Sequence, residues 1–470
     1  MRRLLGFLAV PVLLLGLTWL VAVIYLQQTG GEVTGQTLLN GFVIAPAVLI
    51  ACWFGLKGLF SLLSHKPAAT ASAEPPAQPE AAPGPAAEPV LPALAILSAE
   101  ISTAQSYHID DLLAGLNDNA IRPALSDRFV DENGLPVMVA LREDLDTESV
   151  SEFVSQWLLA AADTHPAKED PDRAHRMLAL LDAPVGASLD LLASLPAQTA
   201  QSSTAGAQAG KRPLLIKIFA ERGWEDLVEA WLRKQFAALD GINPGFVRGD
   251  PERPELQHDA LRVSGAFSSE LARIPAASMM MLVACDSHGT DAVIERAGYD
   301  GKLFSAGNQN GMIPGEAAAA VVIAPADRVP EGLDVIAELQ PAAWGRRQKA
   351  VDAGGRTDVE LMTRLTTSLL EKNSLTADAI GAFVSDCDQR SAWNAEAASL
   401  ISSMLPGLDP VADHLSLGRA LGHTGAAAST LALACAAACV RETNQPGLVA
   451  SLTDPLQRSL ALLRPLQAST

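Results

Sequence analysis

Few side chains in this sequence are of a type, and in a setting, that does chemistry. His423 lies in Gly422-His423-Thr424-Gly425, directly before an Ala-rich stretch. An imidazole there reads, from its setting alone, as a buried polar group that caps the loop before a helix. Asp386 and Asp388 flank Cys387 after the apolar run 380–385. Two carboxylates can serve as acid and base or hold a metal, but with no histidine near them in sequence they read as a solvated turn. The five cysteines, Cys52, Cys285, Cys387, Cys435 and Cys439, have no disulfide or zinc spacing. Cys435 and Cys439, four apart in a helical pattern, read as small core residues, and Cys285 as a core or turn residue. Ser264 has no general base beside it and is a poor nucleophile alone. No metal set and no cofactor is expected.

The elements that must position these groups centre on residues 279–323. Residues 279–284 have the length and composition of a buried strand, and 291–297 form a short helical pattern. A Gly- and Asn-rich loop then leads through Pro314-Gly315-Glu316 into the apolar run 317–323, where small residues let backbones approach closely. This strand–helix–loop–strand unit resembles the corresponding part of the β-ketoacyl synthases, members of the thiolase-fold superfamily. The family's Gly-Phe-x-x-Gly-Glu-Gly/Ala-Ala segment has its counterpart in Gly311-Met312-Ile313-Pro314-Gly315-Glu316-Ala317-Ala318. A second segment, residues 415–427, resembles the family's Ser-x-Lys-Ser-x-x-Gly-His-Thr-x-Gly-Ala-Ala, with His423 at the histidine that stabilises the decarboxylating malonyl group.

The resemblance implies an α/β fold, a duplicated thiolase-like five-layer α-β-α-β-α body. Gly315, Glu316, Asp386, Gly422 and His423 would outline what remains of its pocket. Condensation needs more. The family's lysine falls on Gly418, and its first catalytic histidine is replaced within Asp386-Cys387-Asp388. Its cysteine nucleophile, at a helix N-terminus some twenty-odd residues before 279, is missing, since no cysteine stands between Cys52 and Cys285. Ser264 is near the expected place.

Taken in order, the chain alternates strand and helix patterns. Strands are expected at 93–97, 136–141, 214–219, 260–263, 279–284, 317–323, 333–339, 380–385, 447–452 and 460–463. Helices are expected at 109–116, 150–162, 227–238, 291–297, 358–371, 396–405 and 425–440. Residues 177–181 and 189–195 are apolar but short, and 197–210 and 240–256 read as loops.

Before this body come two apolar runs, residues 4–26 and 38–63. The first spans roughly 35 Å as a helix, enough to cross a bilayer. No Ala-x-Ala-like cleavage site follows it, and a second run comes at once, which argues for two spans over a signal peptide. Arg2 and Arg3 precede the first run and Lys57 and Lys66 border the second, while the loop between them holds only Glu32. By the positive-inside rule the N-terminus and the body face the cytoplasm, giving a two-pass inner-membrane protein. Residues 67–92, nearly all Ala, Pro, Glu and Gly, read as a semi-extended spacer. The expected organisation is thus an anchor at 1–66, a linker at 67–92, and thiolase-like halves at 93–330 and 331–470.

The net charge is −19 for 470 residues. Arg2, Arg3, Lys57 and Lys66 against Glu32 make the first 66 residues +3, which leaves −22 on the rest. So acidic a body argues against nucleic-acid binding and against hugging an anionic leaflet. The run Arg346-Arg347-Gln348-Lys349 is either a solvated loop or a local basic patch that receives an acidic acyl carrier. Two functional expectations follow from the resemblance. One is a non-catalytic, membrane-anchored partner subunit or adaptor, whose partner is a ketosynthase, an acyl carrier protein or a secretion cargo. The family's habit of pairing through an edge strand implies a homodimer or heterodimer. The other is an acyltransferase or condensing enzyme acting on acyl-carrier or acyl-CoA substrates through His423.

Overall fold

The computed structural model describes residues 91–195, 211–248, 259–270, 279–355 and 357–466. The expected anchor, residues 1–66, and nearly all of the expected spacer lie outside the described residues. Among the described residues no helix is long and apolar enough to cross a membrane.

The chain lays down strand β1 (Leu94–Thr103) and a hairpin of β2 (Ala124–Val130) and β3 (Pro136–Val139), then β4 (Arg212–Phe219), β5 (Ile242–Val247), β6 (Met279–Ser287) and β7 (Glu316–Pro325). A second series follows: β8 (Ala337–Leu339), β9 (Ala343–Arg346), β10 (Ala382–Ser385), β11 (His414–Ser416), β12 (Gly447–Ser451) and β13 (Gln457–Arg464). The main helices of the first series are α1 (Ile109–Asn117), α2 (Glu148–Ala160), α3 (Pro171–Ala193), α4 (Glu225–Phe236), α5 (Ala260–Glu270) and α6 (Asp291–Tyr299). Those of the second are α7 (Glu360–Lys372), α8 (Ser391–Met404) and α9 (Ala428–Thr443).

The two series repeat one topology. In the first, β1 pairs antiparallel with β7, β7 antiparallel with β6, and β6, β4 and β5 run parallel. In the second, β8 pairs antiparallel with β13, β13 antiparallel with β12, and β12, β10 and β11 run parallel. The halves join edge to edge where Leu94 and Ile96 of β1 meet Leu339 and Ala337 of β8. This duplication is the expected one.

Strand periodicity explains the layers. On β7 the side chains of Ala317, Ala319, Val321 and Ile323 enter one core, while Ala318, Ala320, Val322 and Ala324 enter another. Both faces are covered, so the strand shows no polar alternation. The first core is the middle layer, built around α9 with α5 beside it. Every α9 residue from Ala428 to Val440 is buried, because the helix touches β1, β6 and β7 on one side and β8, β10, β12 and β13 on the other. Its Ala, Ser, Thr and Cys residues leave room for two sheets to close on one helix. The second core lies under α3 and α4, and a third lies under α7 and α8.

Several expectations need correction. Residues 260–263 are not a strand but the first turn of α5, where Asp259 accepts from the Leu261 N–H at 3.0 Å and Ser264 donates to the Leu261 carbonyl at 2.8 Å. The two short apolar pieces at 177–181 and 189–195 belong to one helix, α3, which runs through Pro184. Burial of Met177, Leu178, Leu180, Leu181, Val185 and Leu192 outweighs the lost backbone bond. The expected loop 240–256 contains β5, and only Ala337–Leu339 of 333–339 is strand. Cys285, expected as a core or turn residue, is a core residue within β6.

Candidate functional site

The ends of β6, β10 and β12 lie near one another, and the loops after them converge with the start of α5 and the turn before α9. That is where open α/β sheets usually hold ligands. A cleft of about 910 Å³ opens there, lined among others by Asp259, Arg262, Asp286, His288, Trp344, Arg346, His423, Ser451 and Thr453.

Asp286, at the end of β6, ties the halves together. One oxygen takes the Arg173 guanidinium at 2.6 Å, and the other accepts from the Ala426 N–H at 3.0 Å. Burial opposes ionisation of Asp286, yet His288, Arg173 and the Ala426 amide bring its pKa below the usual value. His288 donates through Nδ1 to the Gly315 carbonyl at 3.2 Å, which fixes its ring. The ring of His423 lies 5.0 Å from it, centroid to centroid. Burial, with His288 adding to it, pushes the His423 pKa down to about 4, so this imidazole is neutral near pH 7.

Asp259 stands immediately before α5, twenty residues ahead of Met279, close to the spacing that the resemblance implies for the cysteine. It accepts from the Ser459 hydroxyl and from Leu261 N–H, and it pairs with Arg262 Nε at 3.2 Å. Burial raises its pKa in spite of those partners. Arg262 in turn donates to Ser459 at 2.8 Å and to Gln457 at 3.0 Å, and lies over the Trp344 ring. Ser264, the sequence candidate, is buried and bonded within its own helix.

Of the residues expected to outline the pocket, the structure puts only His423 on the cleft. Gly315 and Gly422 act through backbone proximity: a Cβ on Gly315 would lie 2.1 Å from the Leu421 carbonyl oxygen. Glu316 is fully buried and accepts from Arg142 N–H at 2.7 Å, Ser287 Oγ at 2.7 Å and Arg176 Nε at 2.9 Å, so it clamps the loop that carries His288. Asp386 lies behind the cleft and braces its β12–β13 wall, accepting from Leu452 N–H at 2.6 Å and Ser451 Oγ at 2.8 Å. The expectation of a solvated turn at Asp386 and Asp388 is overturned, since they are 2% and 5% exposed. Asp388 holds Arg390 at 2.7 Å. Burial, with Asp259 adding to it, pushes Asp386 up to about 6.

The basic run at 346–349 is not simply a solvated loop. Arg346 lines the cleft, whereas Arg347 turns inward to Glu396, which also takes Arg458 at 2.7 Å. At Gly418, where the family has lysine, a Cβ would meet the Cys387 carbonyl at 2.7 Å, so the local backbone leaves no room for a side chain. Cys285, Cys387, Cys435 and Cys439 are all buried, and burial raises each thiol pKa. Sequence reasoning missed Asp259, Arg262, Asp286 and His288. Asp259 fits the spacing to Met279, whereas the sequence led to Ser264, five residues further on.

No protein-family model and no curated protein matches the chain. Solved structures do. The ishigamide ketosynthase/chain length factor superposes with a TM-score of 0.51 at 13% identity, over 80% of this chain and 100% of that one. The ketosynthase from module 6 of the bacillaene synthase from Bacillus subtilis 168 gives 0.50 at 13% identity, over 80% and 72%. That from module 1 of the bacillaene synthase from Bacillus amyloliquefaciens FZB42 also gives 0.50 at 13%, over 80% and 74%. With the repeated strand order and the two matching loop segments, these likenesses establish that the body of this chain has the β-ketoacyl synthase fold.

Proposed function

We propose that this is a non-condensing ketosynthase-fold protein, held at the inner membrane by residues 1–66 with its body in the cytoplasm, that works as a partner subunit or adaptor. The observation that carries the reading is Asp259. A buried carboxylate, bound to Ser459 and Arg262, precedes α5 at about the spacing from β6 at which the resemblance expects the thiolate. The described thiols are buried elsewhere with raised pKa values, so none supplies a replacement. The two apolar runs and the placement of Arg2, Arg3, Lys57 and Lys66 support the anchor and its orientation. The partner is a protein: a cysteine-bearing ketosynthase, an acyl carrier protein or a secretion cargo. Pairing through an edge strand, with a second copy or with a different ketosynthase, belongs to the same reading.

The test is recovery of tagged full-length protein from detergent-solubilised membranes, followed by mass spectrometry of what comes with it. Stoichiometric recovery of a ketosynthase, a carrier or a secretion component supports the proposal. Turnover of an acyl thioester by the purified protein alone would overturn it. The second reading, an acyltransferase or condensing enzyme working on acyl-carrier or acyl-CoA thioesters, draws on the neutral His423 beside His288 in the cleft. His423→Ala separates the two, because an enzyme loses turnover and a scaffold keeps its partner.

A further inference from the structure

We infer a second site, an oxyanion pocket at the N-terminus of α8, apart from the cleft. A cavity of about 810 Å³ is lined by Arg347, Lys349, Arg390, Ser391, Ala392 and Trp393, with the 350–355 loop on its outer side. That volume suits a small organic molecule.

Four observations converge on it. The fourteen-residue helix α8 begins with no side-chain cap, and the amides of Ser391, Ala392 and Trp393 find no acceptor among the described residues. Those open N–H groups carry the positive end of the helix dipole. Arg347, 8% exposed, lines the cavity; its Nε and Nη1 are used by Lys349, Asp358 and Glu396, and its Nη2 has no partner among the described residues. Behind it a single carboxylate, Glu396, serves two buried guanidiniums, so Arg347 shares its counter-charge with Arg458. Trp393, 2% exposed, lines the same cavity, and its indole N–H is buried without an acceptor.

The remaining charges of the lining are mixed, with Asp352 and Asp358 beside Lys349 and Arg390. Lys349 is exposed at the wall and forms no ion pair among the described residues. Arg390 is neutralised by Asp388 and stacks on the Trp393 ring at 3.7 Å, which leaves it as a lid over the indole. Asp358 turns one oxygen to the Glu360 N–H, and Asp352 sits on the outer loop. Open helix amides beside the unused Nη2 of Arg347 and the exposed Lys349 are suited to a phosphate-type anion. The room beyond it fits an organic body.

The test is isothermal titration of the full-length protein with inorganic phosphate and, separately, with phenyl phosphate, alongside Trp fluorescence. The expected result is saturable binding that shifts Trp393 emission, a shift absent in Trp393→Phe, and about tenfold weaker affinity in Lys349→Glu, the weight of one charged contact. Tighter binding of phenyl phosphate identifies a phosphorylated small molecule as the guest, and equal binding identifies free phosphate. No saturable binding of either, or affinity untouched by Lys349→Glu, overturns the proposal. Lys349 is exposed, so its variant tests the site without disturbing the Arg347–Glu396 pair.

Discussion

Gly315 and Gly422 lie backbone to backbone: a Cβ on Gly315 would stand 3.0 Å from the Gly422 carbonyl carbon. Beside them, the His423 N–H donates to the Ile313 carbonyl at 2.8 Å. This contact holds the loop before β7 against the turn before α9, and so sets His423 beside His288. Gly422 has φ +67° and ψ −163°, a conformation essentially restricted to glycine.

Gly315→Ala is therefore expected to cost about 3 kcal/mol or more, because the obstacle is backbone and cannot turn aside. Urea denaturation measures it. A change below about 1 kcal/mol would mean that the two loops separate without penalty.

Stability should depend on pH through two opposed sets of groups. Burial raises Asp386 to about 6 in the folded state, so the fold binds an extra proton between pH 3.8 and 6 and loses stability as pH rises through that window. Burial lowers His414 and His423 to about 4, so the unfolded chain binds more protons and stability falls as pH drops from 6.5 towards 4. Asp386→Asn should gain on the wild type as pH rises from 4 to 6, by on the order of 3 kcal/mol, and hold that gain above 6. His414→Gln should gain in the opposite direction, as pH falls. Unfolding midpoints across pH 4 to 7.5 read both slopes, and a pH-independent difference for either variant counts against the assignment.

Glu396 joins two buried arginines, so Glu396→Gln leaves both guanidiniums without a counter-charge. A loss of about 3–5 kcal/mol is expected. A far-ultraviolet melt that moves by only a degree or two would show that the pair is hydrated and cheap to break.

The buried thiols should be inert. Cys285, Cys387, Cys435 and Cys439 are expected to escape alkylation at pH 8 in the native protein and to react on unfolding. Peptide mapping after iodoacetamide treatment resolves each one, and native labelling of any of the four would reopen the question of a reactive cysteine.

What the sequence disclosed depended on how local the cause was. β6 and β7 are continuous apolar runs because both faces are covered, and α9 is a run of small residues because two sheets share it; each is visible in one stretch of chain. Asp386 read as solvated because its partners, Leu452 and Ser451, lie some 65 residues on. Glu316 is tied to Arg176 across 140 residues. α5 looked like a strand since Ala260-Leu261-Arg262-Val263 is short and apolar, and its helical state is set by packing in the middle layer. β5, built from Ile-Asn-Pro-Gly-Phe-Val, has no strand pattern and forms because β4 supplies a parallel partner.

The shared helix α9 also dictates how the chain can fold during synthesis. The sheet of the first half is complete once residue 325 has emerged, but the helix that covers its inner face begins at residue 428. At ordinary elongation rates that interval of about a hundred residues lasts on the order of ten seconds. For that time Leu282, Ala319, Val321 and their neighbours face water, or whatever binds the nascent chain. The first half must therefore wait, partly built, for a helix encoded in the second.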